Sequence, residues 1–147
     1  NQIASSGLTS VTLKGWSDDL KSIFADADLF CSPSLDEPFG LVIGEAMAMG
    51  LPIIASDTDG ASELFGINTG SVDAALQHGG IIVPAGDTAA LAAAIGQFCA
   101  DEKLRQTTGQ NARKRIETSF THTHMADRLD QLIRSVTPSP GAERSYI

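Results

Sequence analysis

The sequence predicts an α/β fold, a Rossmann-like parallel sheet with flanking helices. Three observations predict it. The runs Pro52-Ile53-Ile54-Ala55-Ser56 and Gly80-Ile81-Ile82-Val83-Pro84 are short, apolar and free of polar alternation, as strands covered on both faces require. Segments of helical periodicity alternate with them. Aromatic residues make up only 5% of the chain against 42% apolar residues, so the core must be aliphatic and alanine-rich, as in helix-covered sheets. With 147 residues the chain is one domain of ordinary size or a piece of a larger one.

Taken in order, Val11-Thr12-Leu13-Lys14-Gly15 reads as a short strand with a glycine stop. Ser17 then suits an N-cap, with Asp18 and Asp19 in a first turn where the helix dipole favours acids. Leu20, Ile23, Phe24 and Ala27 share one helical face. Asp28–Ser32 is the next strand, stopped by Pro33, and a polar loop runs from Ser34 to Gly40. A helix then begins near Gly40 or Leu41 and closes at Gly50, a suitable C′ residue. Ile53–Ser56 is a buried strand, Asp57–Gly60 a loop, and Glu63-Leu64-Phe65 one helical turn. Residues 66–78 have weak periodicity and read as a loop or a short helix. After the strand at 80–83, Asp87 caps a helix with the stripe Leu91, Ile95 and Phe98. Residues 101–118 form a helix with a charged face. Met125, Leu129, Leu132, Ile133 and Val136 mark a last amphipathic helix. The expected division is a domain over 1–136 and a flexible tail over 137–147.

Ten Lys plus Arg against eighteen Asp plus Glu leave a net charge of −8, which argues against nucleic acid or an anionic membrane as a non-specific partner. Cys31 and Cys99 form neither a disulfide framework nor a zinc cage, so a reducing, cytoplasmic setting is expected. The apolar runs fall far short of the ~18 residues of a membrane span. The N-terminus reads as the middle of a longer chain.

Ligands of open α/β sheets sit at the carboxyl ends of the strands. Here the strand at 28–32 leads into a loop with Asp36 and Glu37, then into the helix at Leu41. The amides of Gly40, Leu41 and Val42 are expected to be free N-terminal donors, an anion site that needs no lysine. Gly40 lets a ligand approach the backbone closely. Glu45 lies about one turn into the helix, seven residues after Glu37. Two carboxylates around phosphate-binding amides suit a ligand with hydroxyls on either side of a phosphate. A nucleotide sugar is such a ligand.

The run from Glu37-Pro38-Phe39-Gly40-Leu41 through Gly44-Glu45-Ala46-Met47-Ala48-Met49-Gly50 to Pro52-Ile53-Ile54-Ala55-Ser56 resembles the E-x7-E signature of retaining GT-B glycosyltransferases of group 1, the glycogen-synthase-like family. The resemblance extends from about residue 11 to residue 133. It takes in Ala27-Asp28, Cys31-Ser32-Pro33-Ser34, Gly60 to Glu63, Pro84-Ala85-Gly86-Asp87, and the Arg113 region followed by Phe120. It implies the distal part of a C-terminal donor-binding domain, with a nucleoside diphosphate sugar as substrate, no cofactor and no metal. It implies Glu37 near the reacting carbon and against the sugar hydroxyls. Phe39, Gly40 and Leu41 would offer amides to sugar and distal phosphate. Glu45 would bind the ribose, and Gly15 and Trp16 would hold the base through main chain. The family's diphosphate-clamping Arg and Lys, and the acceptor domain with its histidine, would lie upstream. This chain alone is therefore expected not to turn over, and its acceptor is unknown. Many relatives work at the cytoplasmic membrane face through other segments.

The stretch 67–77 looks inserted relative to the family. Two family strands that separate 11–14 from 28–32 are also missing. The isolated chain is expected to self-associate through the exposed sheet edge, to swap an element, or to displace residues 1–16. Rival readings are a nucleotide-sugar-binding or interaction module without catalysis, and a GT-B-fold epimerase or phosphorylase. Several residues also have plainer readings. Trp16 equally suits a core or lid position. Asp57-Thr58-Asp59 imitates a D-x-D metal motif but reads as a turn. His122 and His124 suit a helix start better than a metal. Arg113-Lys114-Arg115 reads as a solvated helix face.

Overall fold

A computed structural model describes residue 7, residues 9–66 and residues 72–137. The elements, in chain order, are α1 (Leu20–Ala25), β1 (Phe30–Ser32), α2 (Leu41–Ala48), β2 (Ile53–Ser56), α3 (Asp59–Phe65), α4 (Val72–His78), β3 (Gly80–Val83), α5 (Thr88–Ala100), α6 (Glu102–Ser119) and α7 (His122–Val136). The three strands form one parallel sheet in the order β1-β2-β3, with Phe30 opposite Ile53 and Ile53 opposite Gly80. The predicted α/β fold with a parallel sheet is therefore present.

Every residue of β2 is buried. Its side chains alternate between two cores, as strand geometry dictates. Ile53 and Ala55 join Ile43, Ala46, Met47 and Phe65 on one face. Ile54 joins Ile81, Val83, Ala94 and Phe98 on the other. Helices α2, α3 and α6 cover the first face and α5 the second. Helix α6 reaches α2 because Gly109 meets the Gly50 carbonyl, where a Cβ would collide. Asp87 caps α5 as the sequence implies, accepting from the Ala89 and Ala90 amides at 3.0 and 2.9 Å.

Several expectations are corrected. Residues 11–16 form no strand; they are exposed, with Leu13 at 67% and Trp16 at 88%. A strand needs a ladder partner, and this segment has none among the described residues. The N-cap of α1 is Asp19, not Ser17: Asp19 accepts from the Ser22 amide, while the Ser17 hydroxyl accepts from the Asp19 amide. Helix α3 starts at Asp59, inside the segment expected to be a loop. Val72–His78 is a helix, in keeping with one of the two readings of residues 66–78, whereas residues 67–71 of the apparent insertion lie outside the described residues. The tail expected over 137–147 also lies outside them beyond Thr137. Helix α7 carries its apolar stripe but buries none of its residues. Among the described residues no helix is long and apolar enough to cross a membrane.

Candidate functional site

The site is built where β1 ends. Pro33 stops the strand, and residues 33–40 lead over the carboxyl edge of the sheet to α2. The Glu37 side chain turns back, and its Oε1 accepts from the Gly40 amide at 3.0 Å and, more weakly, from the Phe39 amide at 3.4 Å. The Glu37 carbonyl accepts from the Gly60 amide at 2.9 Å, which ties the β1–α2 loop to the start of α3. Gly40 is the N-cap of α2 in a left-handed conformation, φ 66°, with no side-chain cap. A Cβ on Gly60 would stand 2.6 Å from the Gly40 nitrogen and 2.7 Å from the Glu37 oxygen. The β1–α2 loop and the first turn of α3 therefore press together backbone to backbone.

This geometry corrects one expectation. The Gly40 amide is not a free donor, because Glu37 occupies it. The Pro38-Phe39 turn brings the carboxylate round to the helix tip, where the dipole favours it. The Leu41 and Val42 amides of the first turn have no intrahelical acceptor, as at any helix start. Phe39 and Leu41 are each 76% exposed beside them, which leaves the tip uncovered.

Glu45 is exposed one turn along α2. It lines a cavity of about 560 Å³ whose other walls include Phe39, Leu41, Glu63, Phe120 and His122. Glu37 is not a lining residue, since its carboxylate is turned onto the tip amides. The first acid thus sits on the helix tip and the second on the wall of a cavity that the tip residues Phe39 and Leu41 share. A second cavity adjoins Glu45 on the α1 side. Gly15, in a left-handed conformation, and Trp16 lie just ahead of α1 and line neither cavity.

Other singled-out residues have structural partners. Asp57 accepts from the Ser62 hydroxyl at 3.0 Å and so helps open α3. Among the described residues no three His, Cys, Asp or Glu side chains are grouped to hold a metal. His124 meets the Thr121 hydroxyl at 2.7 Å in the cap of α7, whereas His122 faces the larger cavity. Arg115 is not a solvated cation: it donates to the Leu64 carbonyl at 3.0 Å and lies 5.3 Å from the Phe120 ring centroid. Arg113 does remain on the solvent face, paired with Glu117. Cys31 is half-buried, and burial pushes its thiol above the ordinary range. Sequence reasoning missed the contact of Gly60 with the site loop, and it missed Lys21 and His122 as cavity residues. A glycine twenty residues after Gly40 carries no local signal of such a contact.

The sequence model of the family described as "Glycosyl transferases group 1" matches residues 1–115. The putative glycosyltransferase YtcC of Bacillus subtilis (strain 168) is 34% identical over 123 residues, covering 81% of this chain and 28% of the relative. Sucrose-phosphate synthase from Thermosynechococcus elongatus superposes with a TM-score of 0.75 at 34% identity, over 91% of this chain and 32% of its own. Anabaena HepE, solved in complex with UDP, superposes with a TM-score of 0.78 at 28% identity, over 92% of this chain and 35% of its own. HepE has also been solved with UDP-glucose. The chain spans about a third of the length of these relatives.

Proposed function

Because the chain belongs to the group 1 glycosyl transferases, we propose that it forms the donor-binding half of a retaining glycosyltransferase of GT-B fold. The observation that carries this is the tip of α2, where the Glu37 carboxylate, the first-turn amides and the exposed Glu45 lie in sequence along one helix. The donor is a nucleoside diphosphate sugar. Its phosphate lies against the Leu41 and Val42 amides, whose fixed dipoles meet the charge that develops on the leaving diphosphate. Glu45 accepts hydrogen bonds from the ribose hydroxyls. Glu37 and the Phe39 and Gly40 backbone face the sugar. The base lies towards Gly15, Trp16 and the start of α1. The bond from the anomeric carbon to the diphosphate breaks, and a bond to the acceptor oxygen forms with net retention. UDP in the HepE structure supports a uridine donor as the first to try.

The acceptor is held elsewhere, so the isolated chain binds donor without transferring its sugar. Calorimetric titration of the folded chain with UDP tests the assignment. Saturable binding at one site is expected, and heat no different from dilution overturns it. Glu45→Ala should weaken that binding by about tenfold, the worth of one hydrogen bond to a charged group. An unchanged affinity removes Glu45 from the site.

The exposed Val11–Trp16 segment and the outer edge of β1, which pairs with no strand among the described residues, bear on assembly. An uncovered strand edge is a template for pairing. The isolated chain is expected to self-associate as its concentration rises in light scattering, and a monomer at every concentration reverses that expectation.

A further inference from the structure

Helix α3 is seven residues long, well below the ~12–15 residues at which an isolated helix is even marginal in water. Its ends are held from outside. At its start the Gly60 amide donates to the Glu37 carbonyl at 2.9 Å. At its end Arg115 Nε, on α6, donates to the Leu64 carbonyl at 3.0 Å. We propose that Arg115 is a positioning residue for the donor site: it touches no donor, and it sets the tip of α2 by holding Leu64 in place. Arg115 lines neither of the cavities beside Glu45. The inference rests on the donor-site reading above and adds a residue that this reading does not use.

Leu64 is the link. Arg115 binds its carbonyl, and its side chain is packed against α2. A Cβ on Gly40 would stand 2.9 Å from Leu64 Cδ1, and one on Gly44 3.7 Å from Leu64 Cδ2. Leu64 is buried, and a close-packed interior passes a displacement on to its neighbours. Gly40 carries the amide that Glu37 Oε1 takes up, and it is the N-cap from which the Leu41 and Val42 amides follow. A shift of Leu64 therefore reaches the carboxylate and the phosphate-facing amides together. The next carbonyl shows the contrast. Phe65 bonds its carbonyl to the His78 ring, but its own ring lies against Gly80 of β3, away from the tip.

The chemistry of Arg115 fits this task. The last carbonyls of a helix have no intrahelical donor and form the negative end of its dipole, so a cation there is favoured. The guanidinium lies against Gly66, the left-handed residue that ends α3: a Cβ on Gly66 would stand 2.5 Å from Nη2. Its planar face covers the Phe120 ring, and Nη1 donates to the Ser119 hydroxyl at 3.4 Å. A guanidinium can stack on a ring and bond a carbonyl at once, which an ammonium cannot. Its neighbours Arg113 and Lys114 are exposed, whereas Arg115 is half-buried.

Arg115→Met keeps the apolar stem and removes the donors and the charge. In titration of the chain with UDP it should bind about tenfold more weakly than the wild type, the effect of one misplaced hydrogen bond to a charged group. Amide exchange at Gly60, whose bond to Glu37 joins α3 to the site loop, should quicken by about the same factor. Arg115→Lys, which can still donate to the Leu64 carbonyl, should recover part of both. Asn111→Ala is the matched control. Asn111 also ties α6 to a helix end, donating to the Leu76 carbonyl of α4 at 3.2 Å, but Leu76 packs in the core on the other face of the sheet. That variant should melt at a lower temperature with UDP affinity and Gly60 exchange as in the wild type. Arg115→Met that melts lower but keeps both readouts overturns the proposal. So does weaker UDP binding with Gly60 exchange unchanged, and so does a loss that Asn111→Ala reproduces. Wild-type chain that does not bind UDP fails the donor-site reading itself, and Gly60 exchange then still decides whether Arg115 holds the tip.

Discussion

Replacing Glu37 by Gln should lower sugar transfer in the full-length protein by about 10²- to 10³-fold, the cost of removing one positioned electrostatic group from a reacting centre. UDP affinity should change little. The geometry makes this substitution informative. The Glu37 Oε1 accepts from the Gly40 amide, and a glutamine amide oxygen can accept in the same place. The loop therefore keeps its shape while the site loses a negative charge. A loss confined to kcat shows that the charge acts on the transition state. An equal loss of UDP binding and transfer shows instead that Glu37 only holds the loop, and the assignment of the reacting end then fails.

Gly60→Ala should be the most damaging single-methyl change at the site. The added Cβ has no side chain to push aside. It meets the Gly40 nitrogen, the Glu37 oxygen and the Phe39 carbonyl carbon, all backbone, at 2.6–2.7 Å. Relief requires the β1–α2 loop and α3 to separate, which breaks the Gly60-to-Glu37 hydrogen bond. Overpacking of this kind costs about 1–3 kcal/mol. A clearly lowered midpoint in thermal melting is expected, with UDP binding weakened in whatever fraction remains folded. Gly96→Ala is the control: nothing lies within 4 Å of a Cβ there, and alanine favours the helix it would join. Gly60→Ala that melts and binds like the wild type means that the β1–α2 loop and α3 do not need their close contact.

The parts that were legible in the sequence are those whose environment leaves a local trace. Ile53–Ser56 reads as a strand because burial on both faces removes polar alternation. Asp87 and Asp101 read as helix starts because their side chains bond amides only two or three residues away. Glu37 and Glu45 stand out because their spacing brackets a helix start. What escaped was decided at long range. Asp57-Thr58-Asp59-Gly60 has turn composition, yet α3 begins inside it, where Gly60 must lie against Glu37 and Gly40. Arg115 belongs to a basic run, and its partner, the Leu64 carbonyl, lies fifty-one residues away. Val11–Lys14 has strand composition, but composition does not supply the neighbour that a strand must pair with. The stripe of α7 shows that the helix has an apolar side and says nothing of what covers it.

The glycine-to-glycine contact between the tip of α2 and the start of α3 also limits how the domain can respond to what it holds. Leu64 and Gly60 seat the base of α2 from one side, and Arg115 on α6 grips the far end of α3. The helix tip is thus one jaw of a vice, held against α3, which is itself held by α6. Any tightening around a guest must come from parts that close onto it from outside.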